Sequence, residues 1–226
     1  MTGVPRQRVR ASEKTRELIV ATALRLFRER GFEATTMRAI AAEAGVSVGN
    51  AYYYFASKEQ LIQAYYDRAQ AEHEAACAEV LATEGAFAAR LRGVLQAWVR
   101  VSEPYHAFAV KFFKHAAEPD NPLSPFSPDS APARESSIAI YRQVVDGCVD
   151  RMDPELREEL PELLWLLSMG VVLFWVHDAS EGCTRTYRLI DRTVPLVDRL
   201  VGLSYLPGLR GVTRDFIEVV RELRER

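Results

Sequence analysis

The chain has 226 residues, enough for one large domain or two small ones, with 48% hydrophobic and 27% charged residues and a net charge of −2. That balance excludes a globally disordered polymer, and the wide spacing of Cys77, Cys148 and Cys183 excludes a disulfide framework or a Cys/His zinc cluster. The N-terminus carries no apolar h-region, and the longest uncharged apolar run, 163–176, is short for a bilayer, so the expectation is a reduced, cytoplasmic chain with no membrane partner.

Almost every segment has helical periodicity. Ile19, Ala23, Leu26, Phe27 and Arg30 follow the i, i+4, i+7 spacing of an amphipathic helix over about 12–30, with Ser12 as N-cap and Gly31 as left-handed C-terminal cap. Thr35 or Thr36 caps a short second helix to Ala44, Gly45 makes a turn, and Ser47 caps a third that ends near Phe55. Ser57-Lys58-Glu59-Gln60 reads as a capping box opening a long Ala-rich helix to about residue 82. Further helices are predicted at about 86–101, 105–117, 131–151, 155–179, 184–203 and 211–225. Pro161 and Pro195 should break or kink theirs. Prolines at 119, 122, 125, 128 and 132 predict an extended, polyproline-like connector, either a plain solvent loop or a lid beside a pocket. Strand alternation is absent, and the fold class is all-α.

Charge is unevenly spread. Residues 1–60 hold ten Lys and Arg against six acidic residues, a net +4, which leaves −6 on the remainder. A cationic segment on an anionic body suits a polyanion such as DNA. Within it, Ile40 and Ala41 face inward, Gly45 supplies the tight turn, Val46 plugs the junction and Ala51 is the small inward residue of the third helix. Two short helices set at a steep angle by a Gly-containing turn form a helix-turn-helix.

The outward residues of that third helix, Ser47, Val48, Gly49, Asn50, Tyr52, Tyr53 and Tyr54, include no acid. Asn50 can pair with an adenine edge, while tyrosine hydroxyls, Lys58 and the N-terminus of the fourth helix can reach phosphates. Gly49 costs helix stability by about 1 kcal/mol against Ala, which makes sense where a backbone approaches DNA. Three successive tyrosines cannot all face inward, whereas Phe55 reads as core. Arg6, Arg8 and Arg10 form either a minor-groove arm or a tail.

Thr36-Met37-Arg38, Ile40-Ala41, Ala44-Gly45-Val46-Ser47, Gly49, Tyr52-Tyr53-Tyr54-Phe55 and Ser57-Lys58, with Phe27 before Gly31-Phe32, carry a resemblance to the DNA-binding domain of the tetracycline-repressor (TetR) family over residues 12–61. The resemblance implies an N-terminal helix-turn-helix domain, 1–61, followed by a helical ligand-sensing and dimerisation domain, 62–226. It implies DNA contacts from Thr36, Arg38, Ser47, Val48, Gly49, Asn50, Tyr52, Tyr53, Tyr54 and Lys58. It also implies a homodimer joined through its last helices, a palindromic double-stranded operator, and release by a small-molecule ligand. Repression is the family's common mode.

Beyond residue 62 the resemblance is one of helical style. Aromatic residues at helical spacing, with the family's internal cavity in mind, nominate Trp98, Phe108, Phe112, His115, Tyr141 and Trp175 for an apolar or aromatic ligand; Arg100, Arg142 and His177 are further polar handles. The run 163–176, with Ile190, Val194, Val197, Leu200 and Val201, suits half of a four-helix dimer interface. The alternative is a dimeric DNA-binding protein whose C-terminal half only dimerises. Catalytic signatures such as a phosphate loop, GxSxG or HExxH are absent, as are paired metal ligands, so neither an enzyme nor a cofactor is expected.

Overall fold

The computed structural model describes residues 5–116, 118, 121–206, 208 and 210–224; the side chains of 5–10, 111, 114, 115, 210, 212, 216, 220, 223 and 224 lie outside the described set. Among these residues the chain forms ten α-helices and no strand. They are α1 (Pro5–Arg30), α2 (Met37–Glu43), α3 (Val48–Tyr54), α4 (Lys58–Thr83), α5 (Phe87–Ser102), α6 (His106–Ala116), α7 (Ala131–Asp146), α8 (Pro154–Val176), α9 (Thr184–Ser204) and α10 (Arg210–Arg224).

The chain divides into two compact units: the stretch up to Ala69 with Tyr105–Ala133, and Gln70–Pro104 with Arg134–Arg226. The division crosses α4 between Ala69 and Gln70, so the boundary expected at residue 61 falls inside the first unit. The reason is aromatic packing: Phe108 of α6 stacks on Phe27 of α1 at 6.2 Å, and Phe112 meets Phe32 edge-on at 5.6 Å. Helix α6 thereby completes the core of the first unit with Ile19, Leu26, Ile40, Ala51 and Leu61.

Local chemistry sets the ends of these helices. Gly31 donates its N–H to the Phe27 carbonyl at φ +87°, the left-handed cap read from the sequence. Helix α1 starts earlier than expected, so Ser12 is not its N-cap; its Oγ lies 3.0 Å from Tyr54 Oη instead. Thr36 Oγ1 accepts from Ala39 N–H and Ser47 Oγ from Asn50 N–H, capping α2 and α3. At α4, Ser57 Oγ accepts from Gln60 N–H, but Gln60 Oε1 accepts from Ala56 N–H rather than from the cap residue itself. Asp153 Oδ1 accepts from the N–H groups of Glu155 and Leu156, with Pro154 at the first helical position of α8.

The prolines do not break the helices, and the connector differs from the expectation. Helices α8 and α9 run on through Pro161 and Pro195. The roughly 3 kcal/mol penalty of an internal proline falls on long helices that each bury a face in the unit's core. The connector is not extended: Ser124, Ser127 and Ser130 donate N–H bonds to the carbonyls three residues earlier, at Asn121, Ser124 and Ser127. Pro122, Pro125 and Pro128 each occupy the second position of such a turn, where the fixed proline φ belongs. Asn121 and Ser127 add side-chain bonds to Leu123 N–H and Ser130 N–H. The three-residue proline period is the period of linked turns.

In the second unit, α9 packs on α5 and α8, and α10 on α8. Helix α8 is long and apolar enough to cross a membrane by length and composition alone, because its 23 residues extend past the uncharged run. Half of its apolar window is buried inside this unit, as in the core helix of a globular body. Arg90, 4% exposed, is the unit's central polar residue. Its Nε donates to the Val144 carbonyl, Nη1 to those of Leu81 and Glu84, and Nη2 to that of Gln143, at 2.6–3.1 Å. The guanidinium thus satisfies the carboxyl ends of α4 and α7, where the helix dipole favours a cation. Gly147 leaves the room for it: a Cβ there would collide with Arg90 Nη2.

Candidate nucleic-acid interface

Helices α2 and α3 are held from below by Ile40, Ala41 and Ala51, all 0% exposed, and by Phe55. Arg16 of α1 lies over the Phe55 ring at 5.1 Å. Arg25 bridges α1 to α2 through Glu43 at 2.6 Å while also pairing with Glu29 at 3.3 Å. Thr35 is buried, with its hydroxyl donating to the Gly31 carbonyl at 2.8 Å. These contacts fix the base of the helix-turn-helix and leave its outer face unused.

On that outer face Ser47, Val48, Gly49, Asn50, Tyr52 and Tyr53 are all exposed, as are Thr36 and Arg38 of the α2 end. Tyr53 is 81% exposed. Tyr54 is half-buried, edge-on to Tyr53 at 5.3 Å and bonded to Ser12. Gly49 sits in regular helix with nothing within 4 Å of an added Cβ. Nothing among the described residues therefore requires a glycine there. Gly45, at φ +68°, does need its freedom, because it makes the turn between the helices.

Lys58 has a partner within its own unit. Its Nζ donates to the Phe32 carbonyl at 2.7 Å and stands 4.3 Å from the centre of the Phe32 ring. The ammonium ties the start of α4 to the α1–α2 turn. The arginines at 6, 8 and 10 have side chains outside the described residues.

The aromatic residues nominated for a ligand are divided between the units. Phe108 and Phe112 lie in the first, stacked on each other at 5.2 Å and both nearly buried. Trp98 and Trp175 meet edge-on at 5.1 Å in the second, where Tyr141 is 2% exposed. Burial pushes the Tyr141 phenol well above its usual range, opposed by a hydrogen bond with Ser168. The side chain of His115 lies outside the described residues. Arg100, Arg142 and His177 are exposed, with His177 Nδ1 2.9 Å from the Leu173 carbonyl.

Sequence reasoning passed over Arg90, His73 and Asp178. Arg90 interrupts the apolar stripe Phe87, Leu91, Val94 of α5, and a charge inside such a stripe is a sign of a buried, capped cation. His73 Nε2 lies 3.0 Å from the Val94 carbonyl, and burial holds its imidazole below the usual pKa. Asp178 accepts four hydrogen bonds, from the N–H and hydroxyl groups of Ser180 and Thr186, at 2.6–2.9 Å. Burial would raise its pKa, but those bonds outweigh it and hold the carboxyl at about 2. Cys77 is buried and its thiol is pushed up to about 12, which makes it inert near neutral pH.

A basic N-terminal body that presents a supported, acid-free helix after a Gly turn defines a helix-turn-helix DNA-binding protein. Residues 19–65 match the family described as bacterial regulatory proteins, tetR family, and residues 90–223 match the tetracyclin repressor-like C-terminal domain. The chain belongs to the TetR family of transcriptional regulators, which are DNA-binding transcription factors and not enzymes.

Over 47 residues it is 49% identical to an uncharacterized HTH-type transcriptional regulator of Bacillus subtilis, YerO. That match covers 21% of this chain and spans only 16% of YerO's length. It is 26% identical over 204 residues to the HTH-type transcriptional repressor KstR2 of Mycobacterium tuberculosis, across 87% of this chain and 92% of KstR2. A crystal structure of Thermus thermophilus FadR, a TetR-family repressor in complex with lauroyl-CoA, shares the fold at a TM-score of 0.55 and 21% identity, covering 79% of this chain and 92% of that one.

Proposed function

We propose that the protein is a homodimeric repressor that reads a palindromic operator with α3 and is released by an apolar or aromatic small molecule. The observation that carries the reading is the exposed face of α3, where Gly49 has no internal reason to be glycine and Asn50 stands clear for a base edge. Thr36, Arg38, Ser47, Val48, Tyr52 and Tyr53 surround it for phosphate and base contact.

Two apolar stripes support the dimer. On α8, Leu166 and Leu173 are about half exposed on either side of the open Gly170, an i, i+4, i+7 series. On α9, Leu196, Leu200 and Leu203 repeat the same spacing, with Leu200 67% exposed. Ile190, Val194 and Val201, expected at this interface, point into the unit's own core instead. A second copy would cover the leucines, and its α3 would reach the next half-site about 34 Å away, one turn of B-DNA.

The ligand reading rests on the family architecture, with Trp98, Tyr141 and Trp175 as the aromatic candidates of the second unit and Phe108 and Phe112 as those of the first. The lauroyl-CoA bound by Thermus FadR makes that acyl-CoA the first probe. The deciding measurement is fluorescence anisotropy on DNA from the protein's own upstream region, beside sedimentation of the free protein. Specific, salt-dependent binding by a dimer is expected. A monomer at micromolar concentration, or equal affinity for every sequence, would sink the reading. Operator affinity that no ligand changes would instead favour a C-terminal half that only dimerises.

A further inference from the structure

Phe27, Phe32, Phe108 and Phe112 wall a cleft of about 240 Å³ within the first unit. It lies where the α1–α2 turn meets α6, in the unit that carries the helix-turn-helix. We propose that this cleft is a binding site for a neutral, planar aromatic molecule of one or two fused rings, and that its occupancy weakens operator binding. The second half of the proposal rests on the regulator reading; the first half does not.

Size and walls select the class of occupant. An apolar cavity of about 150 Å³ accommodates benzene, so this cleft has room for a ring system somewhat larger. Phe108 and Phe112 stack on each other, nearly parallel at 18°, and Phe32 stands at 68° to Phe112, so the walls offer a seated ring aromatic surfaces in two orientations. The cleft is also lined by Arg30 and Glu33, one charge of each sign, which favours an uncharged guest over an anion or a cation.

Phe32 links the cleft to the reader. One side of this residue lines the cavity, and its carbonyl and ring hold the Lys58 ammonium. Lys58 opens α4, four residues after the end of α3. A guest that displaces Phe32 therefore loosens the anchor that seats the start of α4 beside the recognition helix. All of these groups belong to one compact unit.

The test uses the full-length protein, with indole as the planar probe and cyclohexanol as the non-planar control. Calorimetric titration is expected to show indole binding at sub-millimolar concentration, with cyclohexanol at least about tenfold weaker. Ala34 lines the cleft and is exposed, so Ala34→Phe should fill it, reduce indole affinity at least about tenfold and leave operator affinity without indole unchanged. Saturating indole should raise the operator dissociation constant at least about fivefold in the parent protein and leave it unmoved in Ala34→Phe. If Ala34→Phe does not fold, Phe112→Leu serves, with a several-fold loss of indole affinity expected. No indole binding, or binding that both variants retain, overturns the site. Indole binding with unchanged operator affinity overturns the coupling. A protein that binds no operator fails as a regulator, while the titrations still decide the cleft.

Discussion

The recognition segment and the interior of the second unit solve opposite problems. From Thr36 to Tyr54 the important residues are contiguous, capped by their own neighbours and left open to solvent. In the second unit the polar residues Arg90 and Asp178 are buried and fully engaged, and several bonds join residues far apart in the chain: Arg90 reaches residues 143 and 144, and the exposed Asp150 accepts from Phe87 N–H at 2.6 Å. A surface that must meet a partner leaves its hydrogen-bonding groups free, so substitution there should cost affinity and spare stability. A buried network has already spent its groups, so substitution there should cost stability first.

Arg90→Ala should break the comparison most sharply. It leaves several buried carbonyls without their donor and opens a cavity, at an expected cost of about 3–5 kcal/mol in denaturant unfolding. Arg90→Lys should recover little, since a single ammonium cannot span the carboxyl ends of two helices. An unchanged unfolding midpoint would show that the guanidinium is dispensable. Asp178→Ala should cost about 2–3 kcal/mol by the same assay, because the N–H and hydroxyl of Thr186 lose their acceptor.

Acid titration tests the same unit with no substitution. Asp178 has a folded pKa below its unfolded one, so its stabilisation is complete above about pH 4 and is lost as the pH falls toward about 2. His73 also titrates lower when folded. Below about pH 6.5 the unfolded chain takes up a proton that the buried imidazole refuses, and stability declines. His73→Gln should flatten the upper limb of the pH–stability curve; a curve of unchanged shape would remove His73 from the account.

For the reader the order reverses. Asn50→Ala should relax base preference by about 1–3 kcal/mol per half-site while the melting temperature stays within a degree or two. Tyr53→Ala should weaken all sequences alike by severalfold. Lys58 gives the most discriminating effect. A phosphate contact predicts a salt slope shallower by about one unit per half-site in Lys58→Ala. The bond to Phe32 predicts an unchanged slope and a stability loss of about 1 kcal/mol.

Local pattern was enough for the helix series, the cap at Ser47, the left-handed Gly31, the turn at Gly45 and most of the outward face of α3, and it narrowed the α2 cap to Thr35 or Thr36, of which Thr36 is the one used. Each depends on residues within about four positions of one another, which is the range of helical periodicity and capping. It allowed a break at Pro161 and Pro195 where the helices run on, and it misjudged the proline connector, because one proline spacing serves either an extended chain or successive turns. Only the tertiary structure decided that α6 belongs with the reader, that Lys58 holds Phe32 and that Arg90 joins the ends of two helices. The pairings of Lys58 with Phe32, of α6 with α1 and of Arg90 with the end of α7 lie 26 to 81 residues apart in the chain, and a contact between distant residues exists only once packing has chosen which faces meet.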